Sequence, residues 1–434
     1  MRIVLTLLCS LMLTGLVSAD DWPQWMGPKR DNTWRETGII ESIPKAGLKP
    51  LWKVKVAGGY AGPAVAGGKV YLADFVSSAD PKQEVYERTN YKGTERLICF
   101  DAKTGKELWK YEQPATYTIS FPNGPRCTPA VADGKVYALG AEGHLACLDA
   151  VTGKPLWTKD FNKDYATKTP LWGYASHPFI DGKKLICIVG GEGACVVAFD
   201  KDSGKELWKN LTAREPGYSS PGIIEAGGAR QLLVWHSESV NSLDPETGKK
   251  FWSSPLKATN AGAVMVPSRD GEHLFVGGYD GVCKGFRLTT DQPGAEEIWI
   301  GDRRKGVYPV NSQPFVENGL LYGIDSKGEL RCMEMATGKR LWESLEPVGG
   351  KAGQCATAFL VKNGDRFFIF NELGEILIAK LTREGYQETG RTKIIEPTGH
   401  SFGRDLMFSM PAFAEKCVFV RSDRELICVS LAKE

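Results

Sequence analysis

The sequence predicts an all-β protein: an eight-bladed β-propeller of four-stranded antiparallel blades, closed by an outer strand from near the N-terminus. Three observations support this prediction. A short strand that follows a small residue recurs eight times, a tryptophan-containing strand recurs seven times, and no sustained 3.6-residue periodicity indicates helices.

The recurring short strand begins the predicted unit, and in six copies it follows a proline. These prolines are Pro63, Pro129, Pro178, Pro221, Pro314 and Pro411. Two further copies, near Val264 and Thr357, lack the proline. Tight glycine turns such as Asp133-Gly134 and Asn318-Gly319 follow this strand, and such turns between apolar runs predict β-hairpins.

The second marker is a tryptophan on the closing strand, which usually follows a D-x-x-T-G-K turn. It occurs at Trp52, Trp109, Trp157, Trp208, Trp252, Trp299 and Trp342. An eighth copy is expected around Ile394, without a tryptophan. We expect these tryptophans to be structural and to cover the gap to the next blade, since each buries on the order of 150–250 Å².

The two ends of the chain complement each other. The last unit, from Pro411, has three predicted strands, whereas "PLWKVKV" at 50–56 is an outer strand without a blade. Pairing the two closes the ring and removes an exposed strand edge. The predicted propeller domain therefore covers residues 48–434.

The N-terminus predicts export. Arg2, an apolar stretch from Ile3 to Leu16, and the small-residue site Val17-Ser18-Ala19 are typical of a signal peptide over residues 1–19. No later stretch has the roughly 18 apolar residues of a membrane span. We expect a protein that is soluble after cleavage and periplasmic or extracellular, with a leader segment over residues 20–47.

The net charge and the positions of the cysteines indicate which partners and which disulfides to expect. The formal net charge is +2, with basic residues spread along the chain, so no nucleic-acid partner is expected. Most of the ten cysteines after the signal peptide lie in apolar runs, which predicts small buried side chains. Cys187 with Cys195, and Cys417 with Cys428, flank predicted hairpins, so their pairing stays open.

A four-stranded meander separates its connections between two faces. The first and third turns of each blade lie on one face, here short, which we call the short-turn face. The second turns and the links between blades lie on the opposite long-loop face. The long excursions all belong there: 74–96, 112–128, 158–177, 300–313, 343–356 and 396–410. Binding sites are usually built on such loops.

The candidate ligand or partner residues of the long-loop face are aromatic or basic. They are Arg126, Trp172, Tyr174, His177, Trp235, His236, Arg303, Arg304, Tyr308, His400 and Arg404. Arginines directed at one cavity would suit an anionic or carbohydrate-like ligand. Alternatively, they are solvated or bound to loop carbonyls. His177 is expected to make a structural hydrogen bond.

No pattern of a catalytic or metal site is found. The sequence has no His/Cys cluster with zinc spacing, no glycine-rich phosphate loop and no G-x-S-x-G motif. We therefore assign no catalytic, metal or cofactor-binding residue.

The turn and tryptophan together carry a family resemblance. The segments "CFDAKTGKELW" (99–109), "CLDAVTGKPLW" (147–157) and "AFDKDSGKELW" (198–208) resemble the A-x-D-x-x-T-G-x-x-x-W docking motif of pyrroloquinoline-quinone (PQQ)-type propellers. "SLDPETGKKFW" (242–252) is a further match, and "CMEMATGKRLW" (332–342) departs from it at Glu334. Residues 21–39 also resemble the leader of many exported bacterial members.

The resemblance implies one of two functions. Quinoprotein dehydrogenases of this type bind the quinone and calcium and oxidise alcohols, with two adjacent cysteines against the cofactor. This sequence has no Cys-Cys pair. The other branch includes the propeller subunit of the outer-membrane protein assembly machine, a protein-binding scaffold without a cofactor.

We therefore expect an exported, non-catalytic propeller that binds a protein or a surface glycan through its long-loop face, without a cofactor. Loop 74–96 is the expected contact element. The alternatives are a divergent PQQ-dependent alcohol dehydrogenase, or another propeller enzyme that acts on carbohydrate with carboxylates in its central funnel.

Overall fold

The computed structural model of the chain describes residues 20–79, 86–88, 90–258, 264–267 and 271–433. The predicted signal peptide and residues 80–85 and 89 of the predicted contact loop lie outside the described residues.

Eight four-stranded antiparallel sheets form the blades of a propeller, which confirms the predicted fold. Blades 1 and 2 consist of β2 (Ala64–Ala66), β3 (Lys69–Ser77), β4 (Tyr91–Asp101), β5 (Glu107–Tyr117), β6 (Ala130–Ala132), β7 (Lys135–Leu139), β8 (His144–Asp149) and β9 (Pro155–Asp160). Blades 3 and 4 consist of β10 (Phe179–Asp181), β11 (Lys184–Ile188), β12 (Val196–Asp200), β13 (Glu206–Asn210), β14 (Gly222–Ala226), β15 (Ala229–Trp235), β16 (Ser239–Leu243) and β17 (Lys250–Pro255).

The second half of the chain repeats the pattern. Blades 5 and 6 consist of β18 (Val264–Pro267), β19 (His273–Gly278), β20 (Val282–Leu288), β21 (Ala295–Ile300), β22 (Phe315–Glu317), β23 (Leu320–Ile324), β24 (Leu330–Glu334) and β25 (Arg340–Ser344). Blade 7 and the three C-terminal strands of blade 8 consist of β26 (Ala358–Asn363), β27 (Arg366–Asn371), β28 (Glu375–Leu381), β29 (Tyr386–Lys393), β32 (Ala412–Ala414), β33 (Cys417–Arg421) and β34 (Glu425–Ser430).

The fourth strand of blade 8 comes from the other end of the chain. β1 (Pro50–Lys55) pairs antiparallel with β34, with Trp52 opposite Cys428. The predicted closure of the ring is therefore confirmed. It joins strands separated by almost the whole chain and leaves no three-stranded blade with an unpaired edge.

A few short elements lie in the connections. They are α1 (Phe161–Asp164), two 3₁₀ turns at Tyr279–Gly281 and Glu346–Val348, and a small hairpin of β30 (Gly399–Ser401) and β31 (Arg404–Leu406). Among the described residues, no helix has the length and apolar character needed to cross a membrane.

The outer strand of each blade carries a β-bulge beside the tryptophan position. Seven tryptophans pair there with a small residue of the third strand: Cys428, Cys99, Cys147, Ala198, Ser242, Gly285 and Cys332. A Cβ on Gly285 would lie 2.1 Å from the Trp299 ring. Small residues are therefore required beneath the indole, which explains several of the buried cysteines.

Six of these indoles donate their Nε1 hydrogen to a backbone carbonyl of the following blade. Trp52, for example, donates to Ala102 O at 2.8 Å, and Trp299 donates to Met335 O at 2.7 Å. Trp252 differs, because it donates to Gln231 Oε1 within its own blade at 2.8 Å.

The eighth tryptophan position lies four residues before Ile394, at the start of the segment "GRTKIIEP" (390–397) in which it was expected. By register, the equivalent position is Gly390, which lies opposite Ile378. A Cβ on Gly390 would lie 3.3 Å from Ile43 of the leader, so the leader occupies the space that tryptophan fills in other blades. In this blade the large residue, Ile378, is on the third strand and the small residue, Gly390, is on the outer strand, the reverse of the other blades. The repeat is therefore difficult to recognise in the sequence at this point.

The leader packs into the ring from the short-turn face. Trp22 forms a β-bridge with Val65 of blade 1, and Trp34 N donates to Lys362 O of blade 7 at 2.8 Å. Ile40 N donates to Leu431 O beside blade 8 at 2.9 Å. Trp22 and Trp34 are fully buried. The leader therefore forms part of the hydrophobic core.

All ten described cysteines are buried and present as free thiols. Cys187 with Cys195, and Cys417 with Cys428, are accordingly unpaired in this structure, as are the cysteines beneath the tryptophans. Cysteine here serves chiefly as a small apolar residue.

The contact between tryptophan and turn can be tested with two glycines of similar backbone conformation. Gly153 (φ 70°) and Gly134 (φ 72°) both have left-handed φ, but a Cβ on Gly153 would lie 2.5 Å from the Trp109 ring, whereas one on Gly134 would meet open space. Gly134→Ala should cost about 1–2 kcal/mol of unfolding free energy from φ alone. Gly153→Ala should cost at least about 1 kcal/mol more because of the clash. Denaturant unfolding of both variants measures the difference, and equal losses would contradict the packing role.

Candidate binding cavity on the long-loop face

A cavity of about 250 Å³ lies at the long-loop end of the central channel. Its lining comes from connections of all eight blades and from the leader. The lining residues are Trp25, Tyr60, Gly62, Tyr86, Phe121, Arg126, Thr128, Trp172, Ala175, His177, Tyr218, Ser220, Tyr279, Val310, Asn311, Gln313, Cys355, Phe359, Phe402, Phe408 and Met410.

The repeat itself places much of this lining. In six links, the third residue before the strand-opening proline, or before its equivalent, lines the cavity: Tyr60, Arg126, Ala175, Tyr218, Asn311 and Phe408. The residue directly before the proline also does so: Gly62, Thr128, His177, Ser220, Gln313 and Met410. Both positions come just before an inner strand, where the chain reaches the axis.

Aromatic rings form two groups around the cavity. Trp172 lies 5.3 Å from Tyr218 and 6.3 Å from Tyr279, measured between ring centroids, on the side of blades 3 to 5. Phe121 lies 6.0 Å from both Tyr86 and Phe402, on the side of blades 1 and 8. The cavity therefore presents flat apolar surfaces from two sides.

The leader forms the floor. The rings of Trp25 and His177 lie 4.6 Å apart, and the Arg30 guanidinium lies over Trp25 at 5.1 Å. Arg30 also donates to Pro178 O at 3.1 Å and to Pro221 O at 3.3 Å. Burial lowers the pKa of Arg30 to about 9. The leader thus closes the channel below the cavity, which leaves the long-loop face as its opening.

Arg126 lines the cavity, but backbone carbonyls occupy its donors. Its Nε donates to Trp172 O at 2.8 Å, and Nη2 donates to Ser120 O at 3.0 Å and Phe121 O at 2.6 Å. Nη1 donates to Gly124 O. Four of its five N–H groups are thus engaged, so this guanidinium fixes two links in place and leaves one N–H for an anion.

His177 is held as a neutral, structural side chain. Its backbone N donates to Ser220 Oγ at 2.9 Å, and Nδ1 lies 3.2 Å from Ala175 O. Burial, followed by the nearby Arg30 charge, holds the pKa of His177 well below its usual value. The ring is therefore uncharged at neutral pH.

The remaining polar groups of the lining are neutral. The Trp172 Nε1 and the Tyr60 hydroxyl are enclosed and have no hydrogen-bond partner in the structure. The Asn311 amide nitrogen donates to Thr357 Oγ1 at 3.3 Å, which leaves its carbonyl oxygen for other partners. No Asp or Glu occurs among the described lining residues.

The structure brings together only some of the predicted face residues. Arg126, Trp172 and His177 line the cavity. Tyr174 and Trp235 do not form part of the exposed face, because their side chains are 2% and 1% exposed and pack in the cores of blades 2–3 and 4–5. The sequence placed them in loops or at a strand end, where such burial is not evident.

The other predicted residues lie away from the cavity. His236 is buried in its own turn, where its Nδ1 accepts from Glu238 N at 3.2 Å. Arg404 Nε donates to Glu372 Oε1 at 2.8 Å, and His400 bonds Asp405 at 2.9 Å. Arg303, Arg304 and Tyr308 lie in the link between blades 5 and 6, with both arginines exposed. Of the predicted arginines, only Arg126 lines the cavity, where it is bound to loop carbonyls, which corresponds to the alternative that the sequence left open.

The predicted loop 74–96 is also shorter than expected. Strands β3 and β4 continue to Ser77 and from Tyr91, with Asp74 opposite Arg96. Arg96 donates to both Asp74 oxygens, at 2.7 and 2.6 Å, so the polar residues that suggested a loop form an ion pair within the sheet. Strand β5 likewise continues to Tyr117, and residues 112–117 belong to the sheet.

Several lining residues were missed from the sequence. Tyr60, Tyr279, Phe402 and Phe408 lie in connections that looked like ordinary turns or links, and Trp25 lies in the leader. The spacing from the strand-opening proline identifies Tyr60 and Phe408. The sequence contains no comparable signal for Trp25, because its position depends on how the leader crosses the ring.

A buried carboxyl group supports the links around the cavity. Glu95 of β4 accepts from the Tyr117 hydroxyl at 2.6 Å and from Ala141 N at 2.8 Å. Burial raises the pKa of Glu95 above its usual value. The folded protein therefore binds this proton more tightly than the unfolded chain, and stability falls as the pH rises from about 4.5 through the folded pKa.

Glu95→Gln keeps both acceptor contacts and removes the charge. We expect the variant to be more stable than the wild type at pH 7–8, by about 1 kcal/mol, with the difference vanishing near pH 4.5. Denaturant unfolding at several pH values measures this. The matched control is Glu112→Gln on the exposed face of β5, which should be near neutral. A destabilised Glu95→Gln variant at pH 8 would contradict the account.

The lining does not suit the quinone and calcium of the dehydrogenase branch. Among the described residues, no group of three or more His, Cys, Asp and Glu side chains could hold a metal ion. The quinone is a polycarboxylate, and backbone carbonyls already accept from four of the five Arg126 N–H groups that could bind it. Cys355 is the cysteine of the lining, without an adjacent partner.

Comparisons with known proteins agree with the fold. A family model described as the outer membrane protein assembly factor BamB matches residues 37–209, 93–303 and 236–434. A protein of that name from Shewanella oneidensis is 22% identical over 166 residues, which span 36% of this chain and 40% of the relative. The match thus covers less than half of that relative.

Two solved structures resemble the whole ring. BamB from Moraxella catarrhalis superposes with a TM-score of 0.57 at 16% identity, covering 89% of this chain and 98% of that chain. Quinohemoprotein alcohol dehydrogenase from Comamonas testosteroni superposes with a TM-score of 0.60 at 14% identity, covering 95% and 81%. At these identities the likeness shows the fold alone. The predicted resemblance to PQQ-type propellers is confirmed.

Proposed function

Since this chain belongs to the family of the outer membrane protein assembly factor BamB, we propose that it is an exported scaffold. It binds a protein partner through its long-loop face and catalyses no reaction. In this proposal the chain is soluble after signal cleavage and works in the periplasm or outside the cell.

The main support for the proposal is that most polar side chains of the cavity lining are uncharged, and that its charged side chain is hydrogen-bonded to the loops. The lining residues with proton-transfer or anion-binding chemistry are His177 and Arg126. Loop carbonyls accept from Arg126, and the His177 ring has Nδ1 against Ala175 O and a pKa that burial holds well below its usual value. A general acid or base needs a free group with a pKa near the working pH. A rigid, aromatic recess is better suited to binding.

The exposed surface around the cavity is the proposed contact area for a protein. Exposed Tyr86 lies at its opening. Gln354 Nε2 donates to the Tyr86 hydroxyl at 2.9 Å, which joins the loop of blade 1 to the link between blades 6 and 7. Tyrosine is enriched in protein interfaces. Arg303 and Arg304 are also exposed, but they lie outside this area, because the neighbouring Lys305 pairs with Lys339 in the third turn of blade 6.

The two enzymatic alternatives lack the groups that they require among the described residues. A PQQ-dependent alcohol dehydrogenase needs calcium ligands and free cationic groups at the cavity. A carbohydrate-cleaving enzyme of the predicted kind needs two or three carboxylates there. No specific observation favours either one.

Site-specific photo-cross-linking in the producing cell tests the proposed function. A photoreactive phenylalanine analogue replaces Tyr86, which is 56% exposed at the cavity opening on the long-loop face, or, as a control, Val151, which is 67% exposed on the short-turn face. We expect a discrete cross-linked protein species from position 86 and none from 151. Equal cross-linking at both positions, or none at 86 in a folded variant, would contradict the assignment of the working face.

A further inference from the structure

We propose that the aromatic cavity binds the ring of a neutral sugar, presented as a residue of an uncharged oligosaccharide. The inference adds a small-ligand site inside the face assigned to protein binding. It rests on the proposed function only in treating the cavity as a binding site.

The size of the cavity limits the ligand to about one substituted ring. Its volume is about 250 Å³, and a cavity of roughly 150 Å³ is enough to hold benzene. One six-membered ring with its substituents therefore fits. Further residues of a chain would extend through the opening toward the long-loop face.

The polar groups of the lining disfavour ionic ligands. The described lining has no carboxylate to pair with a cation, which would lose its hydration without gaining a counter-charge. An anion would meet the charge of Arg126, but this side chain already donates to the carbonyls of Gly124, Trp172, Ser120 and Phe121, and His177 is neutral. Few hydrogen-bond donors are therefore left for an anion.

The aromatic surfaces suit the flat C–H face of a sugar. Trp172 with Tyr218 and Tyr279 lies on one side, and Phe121 with Phe402 on the other. The face of an aromatic ring carries partial negative charge, which attracts the weakly positive C–H groups of a sugar ring. Two such groups of rings around one small cavity can contact a ring on both faces.

The polar groups distinguish a sugar from an apolar ring. The unpartnered Trp172 Nε1 and Tyr60 hydroxyl are buried away from the cavity surface, but neutral Asn311, Ser220 and Thr128 belong to the lining. A purely apolar ligand would leave these groups unpaired at a cost. A sugar carries several hydroxyls that both donate and accept, so it can satisfy scattered neutral groups. A tyrosine side chain of a peptide has one such group.

The test uses the purified chain of residues 20–434 on an array of neutral oligosaccharides, with calorimetric titration of the glycans that bind. Quenching of tryptophan fluorescence, to which Trp25 and Trp172 at the cavity contribute, gives a second readout. Glucuronate represents anionic sugars, and p-cresol represents a tyrosine side chain. We expect saturable binding of at least one neutral glycan and none of glucuronate or p-cresol.

Variants locate the binding. Trp172→Ala should weaken the affinity for that glycan at least tenfold, and Trp172→Phe should restore part of it. The matched control Phe251→Ala removes an exposed aromatic ring from the outer strand of blade 4 and should change nothing. If Trp172→Ala lowers thermal stability, the fluorescence and calorimetric results for Trp172→Phe decide.

Three results would overturn the inference: no neutral glycan binds, p-cresol or glucuronate binds instead, or glycan binding is unchanged in Trp172→Ala. These results leave the protein-scaffold proposal standing if cross-linking at position 86 persists. Glycan binding without any cross-linked protein would reject the scaffold and keep the sugar site.

Discussion

A chain that lacks residues 20–56 is expected to be insoluble or unfolded. The deletion removes β1, so blade 8 is left with three strands and an unpaired edge along β34. It also removes the leader, whose Trp22 and Trp34 are fully buried in the largest hydrophobic cluster. Circular dichroism and size-exclusion chromatography of the truncated chain measure the effect.

A circular permutant shows whether the folded protein needs the segment itself or needs it at the N-terminus of the chain. In this control, residues 20–56 follow residue 433 through a flexible Gly/Ser linker. It should fold as a monomer with a near-native melting temperature, because the outer strand is again available to β34. A truncated chain with unchanged melting behaviour would contradict the closure of the ring.

The second large effect is expected from Trp34→Ala, a single change in the leader. The Trp34 ring packs 5.4 Å from Phe368 and 5.1 Å from Phe413, and its Nε1 donates to Glu36 Oε2 at 2.8 Å. Truncating a fully buried aromatic side chain to alanine typically costs about 3–5 kcal/mol of unfolding free energy. Denaturant unfolding of the variant measures this loss.

The matched control is Leu51→Ala on β1, an exposed side chain in a segment that is equally close to the N-terminus. It should change the unfolding free energy by less than about 0.5 kcal/mol. If Trp34→Ala were as mild as Leu51→Ala, the leader would have to be regarded as an accessory rather than as part of the core.

The repeat explains why so much of the fold could be predicted from the sequence. Most units contain a glycine hairpin turn, and seven units also contain the same tryptophan, so one misread copy does not change the count. The closing strand was identified because the first and last units each lack what the other has. Local turn chemistry and strict spacing suffice for such an inference.

The position of the eighth tryptophan could not be predicted, because it depends on packing between distant segments. Ile43 of the leader fills the space beside Gly390, and Ile378 replaces the small residue that lies opposite the tryptophan elsewhere. The isoleucines fill the volume that the indole fills in other blades, although the residue types differ. A search for tryptophan therefore does not find the exact position in this blade.

The candidate site could be predicted only in part from the sequence, because it too depends on contacts between distant segments. Arg126 and His177 occupy the positions just before a strand-opening proline, and the same spacing gives Tyr60, Tyr218 and Phe408. The role of Arg126 as a support for loop carbonyls depends on its hydrogen bonds, which spacing does not reveal. The floor formed by Trp25 likewise depends on the path of the leader through the ring.

The central claim is that this cavity binds a ligand and does not hold a redox cofactor. Its most direct test is to titrate the purified chain of residues 20–434 with PQQ in the presence of Ca²⁺, and then to assay dye-linked alcohol oxidation. We expect no saturable binding, no new absorbance of a bound chromophore and no dye reduction. Stoichiometric binding of the quinone with alcohol-dependent turnover would contradict the account.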